Sequence, residues 1–183
     1  MRTMTRRMAL TASGTLAATG WPRKPRAEEL KPLGQALQTI HSPVAAPDIV
    51  FTDAKGAEHH LVEFRGHGLV INLWASWCVP CVAEMPSLAV LSKSLAPDDV
   101  AVLPLSSDRG GVSAVEAFYH QHAITGLPVL LDPRGAAAQA FGVQGIPTSL
   151  IIDKAGKERA RLEGSADWST PEAAEIVRRL TAV

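Results

Sequence analysis

The sequence contains very little cysteine. Among its 183 residues there are only two, Cys78 and Cys81, and they stand three positions apart. A small secreted scaffold held together by disulfides would need more cysteines at wider spacing. A structural zinc site needs four ligands, and two thiolates supply half of that number. We therefore interpret the two cysteines as a chemically active pair.

The chain also lacks a hydrophobic run that would make a good membrane span. The apolar stretch nearest the N-terminus, residues 9–21, is short and rich in Ala, Thr and Gly, whereas a spanning helix needs about 20 mostly apolar residues. Internal repeats and low-complexity runs are absent as well. The apolar fraction of 46% and the charged fraction of 20% are typical of a folded soluble protein. The length allows one ordinary domain and a leader.

Acidic side chains are missing from the first 26 residues, which hold six basic ones. The rest of the chain carries 12 basic and 18 acidic residues, a net charge of −6. The overall charge of zero therefore hides a basic N-terminus and a mildly acidic body. Such a body does not favour nucleic acid or an anionic membrane surface as the partner.

The basic N-terminus resembles a twin-arginine export signal. Arg6 and Arg7 precede the weakly apolar residues 9–21, and a basic tail runs to Arg26. Two alternatives stay open: a disordered basic N-terminus of a cytoplasmic protein, and an uncleaved N-terminus that anchors the protein to a membrane. The expected organisation is an export signal over residues 1–27, a linker over 28–45 and a folded domain over 46–183.

The order of the predicted elements makes the domain an α/β protein. Residues 49–52 and 60–64 flank a turn sequence and predict an N-terminal β-hairpin. The nearly continuous apolar run at residues 69–75 is typical of a central strand that is buried on both faces. Strands and helices then alternate and end in a hairpin and a helix, which predicts a mixed sheet covered on both faces. This order alone leaves several α/β folds open.

The most informative motif is Trp77-Cys78-Val79-Pro80-Cys81, which lies between the buried strand and the start of a predicted helix. A thiol at a helix N-terminus faces unpaired backbone N–H groups and the positive end of the helix dipole, so its thiolate is favoured. Cys78 comes first and is the predicted nucleophile. Cys81, one turn further along, is predicted to attack the mixed disulfide and release the substrate. Pro80 stiffens the turn between them.

This motif resembles the active site of the thioredoxin superfamily. A second segment, the sequence Phe-Gly-Val-Gln-Gly-Ile-Pro-Thr at residues 141–148, is similar to the superfamily's cis-proline loop. The resemblance implies a cis peptide bond before Pro147 and a backbone at Ile146 that pairs with a substrate strand beside Cys78. Trp77 is expected to cover the active site and to contact the substrate.

Within the superfamily, the chain is most similar to the exported reductases of the TlpA, ResA and CcmG branch. The branch's Cys-x-x-Glu-x-Pro pattern begins at Cys81 and includes Glu84, and Asn72 stands where thioredoxin itself has a buried aspartate. The resemblance implies a thioredoxin fold over residues 46–183, with an N-terminal β-hairpin and an inserted strand–helix unit. It also implies that Glu84 tunes the thiols, because a half-buried carboxylate could accept the proton of Cys81.

These features predict an exported thiol:disulfide oxidoreductase that reduces disulfides in extracytoplasmic proteins, such as apocytochrome c or proteins with copper-site cysteines. Strongly oxidising relatives place a histidine between the cysteines, and the apolar Val79 therefore favours a reducing role. The expected redox group is the pair Cys78 and Cys81, with no further cofactor and no metal. The expected partners are client proteins with disulfides and a membrane thiol-reductant donor, since no NADPH site is visible.

Three other functions fit parts of the sequence. A peroxiredoxin-like peroxidase would have Thr or Ser at the position of Ala75 and Pro at that of Ile71, so the sequence does not fit it. A redox-inert binding module is disfavoured by two intact cysteines. The main alternative is a copper-binding metallochaperone with the cysteine pair as ligands, although such proteins typically have one more residue between their cysteines. Metal analysis of the purified protein would separate these functions.

Overall fold

The structure is a computed structural model that describes residues 30–182. The predicted export signal at residues 1–27 lies outside these residues. Two short 3₁₀ turns accompany ten strands and five helices in the described part. The strands are β1 (Lys31–Pro32), β2 (Gln38–Ala45), β3 (Val50–Asp53), β4 (Glu58–His60), β5 (Gly68–Trp74), β6 (Val100–Ser106), β7 (Leu130–Leu131), β8 (Thr148–Ile152), β9 (Lys157–Glu163) and β10 (Ala166–Asp167). The helices are α1 (Leu33–Ala36), α2 (Val79–Leu95), α3 (Gly111–Gln121), α4 (Ala136–Ala140) and α5 (Pro171–Thr181).

Eight of the strands form one mixed sheet, in the order β2-β9-β8-β5-β6-β7-β3-β4. The central strand β5 runs parallel to β6 and antiparallel to β8. A parallel pair needs a crossover connection, and α2 supplies it between β5 and β6. The predicted mixed sheet flanked by helices is confirmed.

The alternating side chains of β5 separate two hydrophobic clusters, one on each face of the sheet. Val70 and Trp74 belong to the cluster beneath α2, α3 and α5. Ile71 and Leu73 belong to the other cluster, which α4 and the N-terminal hairpin cover. Every residue of β5 is buried, as expected for a strand that packs on both faces. The end of this rigid strand carries the loop that leads to the cysteines.

The N-terminal hairpin is confirmed, but its second strand is shorter than predicted. β3 and β4 pair in an antiparallel register from Val50–His60 to Thr52–Glu58, and β3 also pairs with β7. The segment Leu61–Phe64, predicted as strand, forms a 3₁₀ turn instead. The turn is capped by Glu63, whose carboxylate accepts the backbone N–H of His60 at 3.1 Å. This capping bond favours a turn over a continued strand.

Residues 31–45 also differ from the linker that was expected over residues 28–45, of which residues 28 and 29 lie outside the described part. β2 pairs in antiparallel fashion with β9 at one edge of the large sheet, and β1 pairs in parallel fashion with β10. Between them, Leu33 on α1 is 1% exposed and packs in the cluster beneath α2. The prolines of this segment predict an extended arm. The burial of Leu33 and the strand pairings of β1 and β2 instead make residues 31–45 part of the domain.

The predicted inserted strand–helix unit is present as β7 and α4, between α3 and the loop that leads to β8. β7 pairs with β6 and, on its other side, with β3. The N-terminal hairpin therefore lies at the edge of the sheet. Among the helices that the structure describes, none combines the length and apolar character that crossing a membrane requires.

Candidate active site

The two cysteines form a disulfide at the N-terminus of α2. Cys78 is the N-cap residue of this helix, and the backbone N–H of Cys81 donates to its Sγ at 3.3 Å. Both side chains are buried, and Cys78 retains slight exposure whereas Cys81 has none. The 17-residue helix points its positive end at Cys78, which favours a thiolate there after reduction.

The loop before β8 faces this disulfide. The peptide bond between Ile146 and Pro147 is cis, as the resemblance implied. The carbonyl oxygen of Ile146 lies 3.7 Å from Cys78 Sγ. Ile146 is partly buried and Pro147 is buried. These two residues therefore lie beside the sulfur that is predicted to attack the substrate, and their role toward the substrate stays a prediction.

Apolar side chains surround the entrance to the disulfide. Trp77 is 69% exposed and Val79 is 80% exposed, and Pro80 is exposed beside them. Among the described residues, most large apolar side chains are buried, so the exposed Trp77 and Val79 next to the disulfide stand out. The substrate-contact role of Trp77 stays a prediction.

Glu84, one turn beyond Cys81, is fully buried rather than half-buried. Its Oε1 accepts the amide N–H of Asn72 at 2.8 Å. Its Oε2 accepts two N–H groups, the backbone of Ala166 at 3.2 Å and the indole of Trp168 at 3.3 Å. The Asn72 amide also donates to Ser149 Oγ at 2.9 Å. A carboxyl group therefore lies in a closed pocket of neutral donors, on the same helix as the cysteines.

Burial has a measurable consequence for this group. Desolvation raises the pKa of Glu84 from 4.5 to about 7, although the hydrogen bonds from Asn72, Ala166 and Trp168 act in the opposite direction. A group with a pKa near neutrality can both take up and release a proton at physiological pH. This is the property that proton transfer with a neighbouring thiol requires.

A second carboxylate fixes the loop that precedes the cysteines. Asp108 accepts the backbone N–H of Ser76 at 2.9 Å and its hydroxyl at 2.7 Å. It also accepts the hydroxyl of Ser106 at 2.7 Å. Asp108 is almost completely buried. These bonds join the loop after β5 to the loop after β6. The backbone just before Cys78 is therefore fixed to both of these parallel strands.

Sequence reasoning missed several of these neighbours. The sequence marks Asn72 only as a departure from thioredoxin, and it gives no prediction for Ser149, Trp168 or Asp108. Trp168 lies 84 positions from Glu84 along the chain, and no local pattern connects the two. The available signals were weak: an unusual amide in an apolar strand, and a tryptophan just before the last helix.

A metal site was predicted only under the copper-chaperone alternative. Within residues 30–182, no three or more His, Cys, Asp or Glu side chains are grouped so that they could hold a metal ion.

The chain is similar to known proteins in sequence and in fold. Residues 42–177 match the Redoxin family. The thiol-disulfide oxidoreductase ResA of Geobacillus thermodenitrificans is 34% identical over 120 residues, which are 66% of this chain and 68% of that protein.

Solved structures of thiol-disulfide exchange proteins are similar to this chain in fold. A secreted thiol-disulfide isomerase of Corynebacterium glutamicum has a TM-score of 0.66 and 19% identity, and the match covers 82% of this chain and 94% of that one. The exposed lipoprotein thioredoxin of Streptococcus pneumoniae has a TM-score of 0.57 and 26% identity, with coverage of 73% and 98%. The first of these two supports the fold alone.

A thioredoxin-like fold with a cysteine pair at a helix start, facing a cis-proline, defines the class of thiol-disulfide oxidoreductases. The chain belongs to the Redoxin family, and like its ResA relatives it is a thiol-disulfide oxidoreductase.

Proposed function

We propose that this oxidoreductase works outside the cytoplasm as a reductant of disulfides in other proteins. The observation that carries the direction of electron flow is the buried carboxyl group of Glu84, three residues after Cys81 on the helix that begins at the cysteine pair. Negative charge near a thiol disfavours its thiolate, and the residues between the cysteines, Val79 and Pro80, bring no positive charge to offset it. Oxidising members of this class depend on a stabilised reduced form. Here the buried carboxyl group opposes the stabilisation that the helix N-terminus gives to the thiolate, which favours a reducing role.

The proposed reaction moves two electrons from the reduced pair to a client disulfide. The Cys78 thiolate attacks one client sulfur, so a mixed disulfide forms and the first client thiolate leaves. Cys81 then transfers its proton to the Glu84 carboxylate and attacks Cys78 Sγ, which releases the second client thiolate. The client gains a dithiol, and the enzyme regains the disulfide seen in the structure. The redox group is the cysteine pair itself.

The surface around the disulfide supports a protein client. An extended client segment would lie along the backbone of Ile146, whose carbonyl oxygen is close to Cys78 Sγ, and would contact the exposed rings of Trp77 and Pro80. Clients of the proposed kind are exported proteins whose cysteines must be reduced before a haem or copper ion is attached, such as apocytochrome c. A membrane thiol donor would return the enzyme to its dithiol form.

The reduction potential of the cysteine pair tests whether the protein acts as a reductant or as an oxidant of its clients. Equilibration with thiol buffers is expected to give a value closer to that of thioredoxin, about −270 mV, than to that of DsbA, about −120 mV. Val79→His should raise the potential, because an imidazolium beside Cys78 stabilises the reduced thiolate. The matched control Val90→His changes an exposed valine of the same helix away from the sulfur. A wild-type potential near that of DsbA would contradict the reducing role.

The location outside the cytoplasm is supported by the basic N-terminus with Arg6 and Arg7. A relative with 26% identity is described as an exposed lipoprotein. A reporter fused to residues 1–30 should be exported, and replacing both arginines with lysine should stop its export. A reporter that stays in the cytoplasm would contradict the proposed location while leaving the redox chemistry intact.

A further inference from the structure

We propose that Trp168 is a positioning residue for the active-site carboxyl group. With the backbone N–H of Ala166, it holds one oxygen of Glu84 in a fixed place beside the helix that begins at the cysteine pair. This inference rests on the proton-transfer role proposed for Glu84 and goes beyond it, because it names the side chain that determines where the carboxyl group sits.

The geometry around Glu84 Oε2 carries the proposal. Trp168 is fully buried and packs in the same hydrophobic cluster as both cysteines. Its indole N–H donates to Glu84 Oε2 at 3.3 Å, and the N–H of Ala166 donates to the same oxygen at 3.2 Å. An indole has a single donor and no acceptor, so the only polar atom of this large side chain is used on the carboxyl group.

Trp168 is itself tied to the active-site helix. Its backbone N–H donates to Ser87 Oγ at 3.1 Å, and the Ser87 hydroxyl donates to the carbonyl oxygen of Glu84 at 2.7 Å. β10, which ends one residue before Trp168, pairs with β1. Both the backbone and the side chain of Trp168 are thus bonded to the turn of α2 that carries Glu84, the backbone through Ser87 and the indole directly. Two points of attachment restrict the ring and its donor to one position.

The groups that face Glu84 from the surrounding elements are neutral. They are Asn72 on β5, with Ser149 on β8 behind it, and Ala166 and Trp168 at β10. The titratable neighbours on its own helix are the cysteines, which do not titrate in the disulfide. α5 turns Ala173, Ala174 and Val177 to the core, and its Arg178 pairs with Asp98 at the surface. The carboxylate of Asp167 accepts the N–H and hydroxyl of Ser169.

These three donors stabilise the carboxylate form of Glu84, so the loss of any one of them should raise the pKa of Glu84. Without the indole N–H, the charged form of Glu84 loses one of three hydrogen bonds in a site that water does not reach, and the pKa of Glu84 must rise. A tryptophan that only fills space would have no such effect.

The chain contains a matched control for this argument. Trp74 is also fully buried in the same cluster, but its indole nitrogen has no hydrogen-bond partner among the described residues. Trp74→Phe and Trp168→Phe therefore remove the same atoms from equally buried sites. Only the second substitution removes a donor from Glu84.

The experiment is a ¹³C NMR titration of the glutamate carboxyl groups in the oxidised full-length protein, where no thiol titrates. Glu84→Gln assigns the Glu84 signal. Trp168→Phe is expected to raise the pKa of Glu84 by about one unit, whereas Trp74→Phe leaves it unchanged. If Trp168→Phe does not fold, the isosteric amino acid benzothienylalanine at position 168 removes the N–H and keeps the shape of the ring.

An unchanged pKa of Glu84 in a folded position-168 variant, or an equal rise in Trp74→Phe, would overturn the proposal. The pH profile of mixed-disulfide resolution by the reduced protein separates the two levels of inference. If the Glu84 signal shifts as expected but this profile does not, the positioning role of Trp168 stands and the proton-transfer role of Glu84 fails.

Discussion

Replacing Glu84 with Gln should change how the stability of the oxidised protein depends on pH. The pKa of Glu84 is about 7 in the folded protein, against 4.5 for an unperturbed carboxyl group. The folded state therefore binds this proton more tightly than the unfolded state does. As pH rises from about 4.5 to 7, the unfolded chain releases the proton first, and the wild-type protein loses stability.

The size of the effect follows from the two pKa values. Each unit of difference corresponds to about 1.4 kcal/mol, so ionised Glu84 lowers the free energy of unfolding by about 3 kcal/mol above pH 7. Below pH 4.5, both states carry the proton and the cost vanishes. Gln is uncharged at every pH and has nearly the same shape. The difference in stability between Glu84→Gln and wild type should therefore rise by about 3 kcal/mol across this range.

Urea denaturation of both oxidised proteins between pH 5 and pH 8.5 measures this difference. Ionisations that the two proteins share cancel, and the thiols do not titrate while the disulfide is intact. Glu116→Gln, which removes the carboxyl group of an exposed glutamate on α3, is the surface control for this comparison. A constant difference for Glu84→Gln, or one that falls as pH rises, would refute the inference that burial dominates the titration of this group.

Two further predictions concern the parts of the fold that support the site. Leu33→Ala should lower the free energy of unfolding by about 2–5 kcal/mol, since it empties a buried position; Val44→Ala, at a 61% exposed position of β2, should change it by less than about 0.5 kcal/mol in urea denaturation. Equal effects would mean that residues 31–45 behave as a linker. Asp108→Ala should cost about 1–3 kcal/mol because the buried hydroxyl of Ser106 and the partly buried hydroxyl of Ser76 lose their acceptor. It should also slow disulfide exchange by loosening the loop before Cys78, and unchanged exchange kinetics would contradict the role given to Asp108.

The elements that carry chemistry could be predicted because their signals are local. The apolar run of β5, the helix after it and the motif around Cys78 are each encoded in a few consecutive residues, and the structure places them as expected. The cis bond before Pro147 was predicted through a resemblance, and it is present. Local sequence thus sufficed for the helix that carries the cysteine pair, and the loop that faces it followed from the resemblance.

The surroundings of Glu84 could not be predicted in this way. Whether a glutamate on a helix is solvated or buried depends on what packs against that face. Here the packing comes from β10, more than 80 residues further along the chain. The prediction of a linker for residues 31–45 was wrong for the same reason. Its prolines suggest an extended arm, but its position is determined by pairing with β9 and β10 and by the burial of Leu33.

The most direct test of thiol-disulfide exchange through these two cysteines is to trap its covalent intermediate. Cys78→Ser and Cys81→Ser each retain one thiol of the pair, so the two variants control for each other. After reaction with a protein that contains an accessible disulfide, mass spectrometry under non-reducing conditions should show a mixed disulfide at Cys78 in the Cys81→Ser variant. The Cys78→Ser variant should form none, because the remaining thiol is fully buried. Accumulation of the adduct at Cys81 in Cys78→Ser, or its absence from Cys81→Ser, would contradict the account.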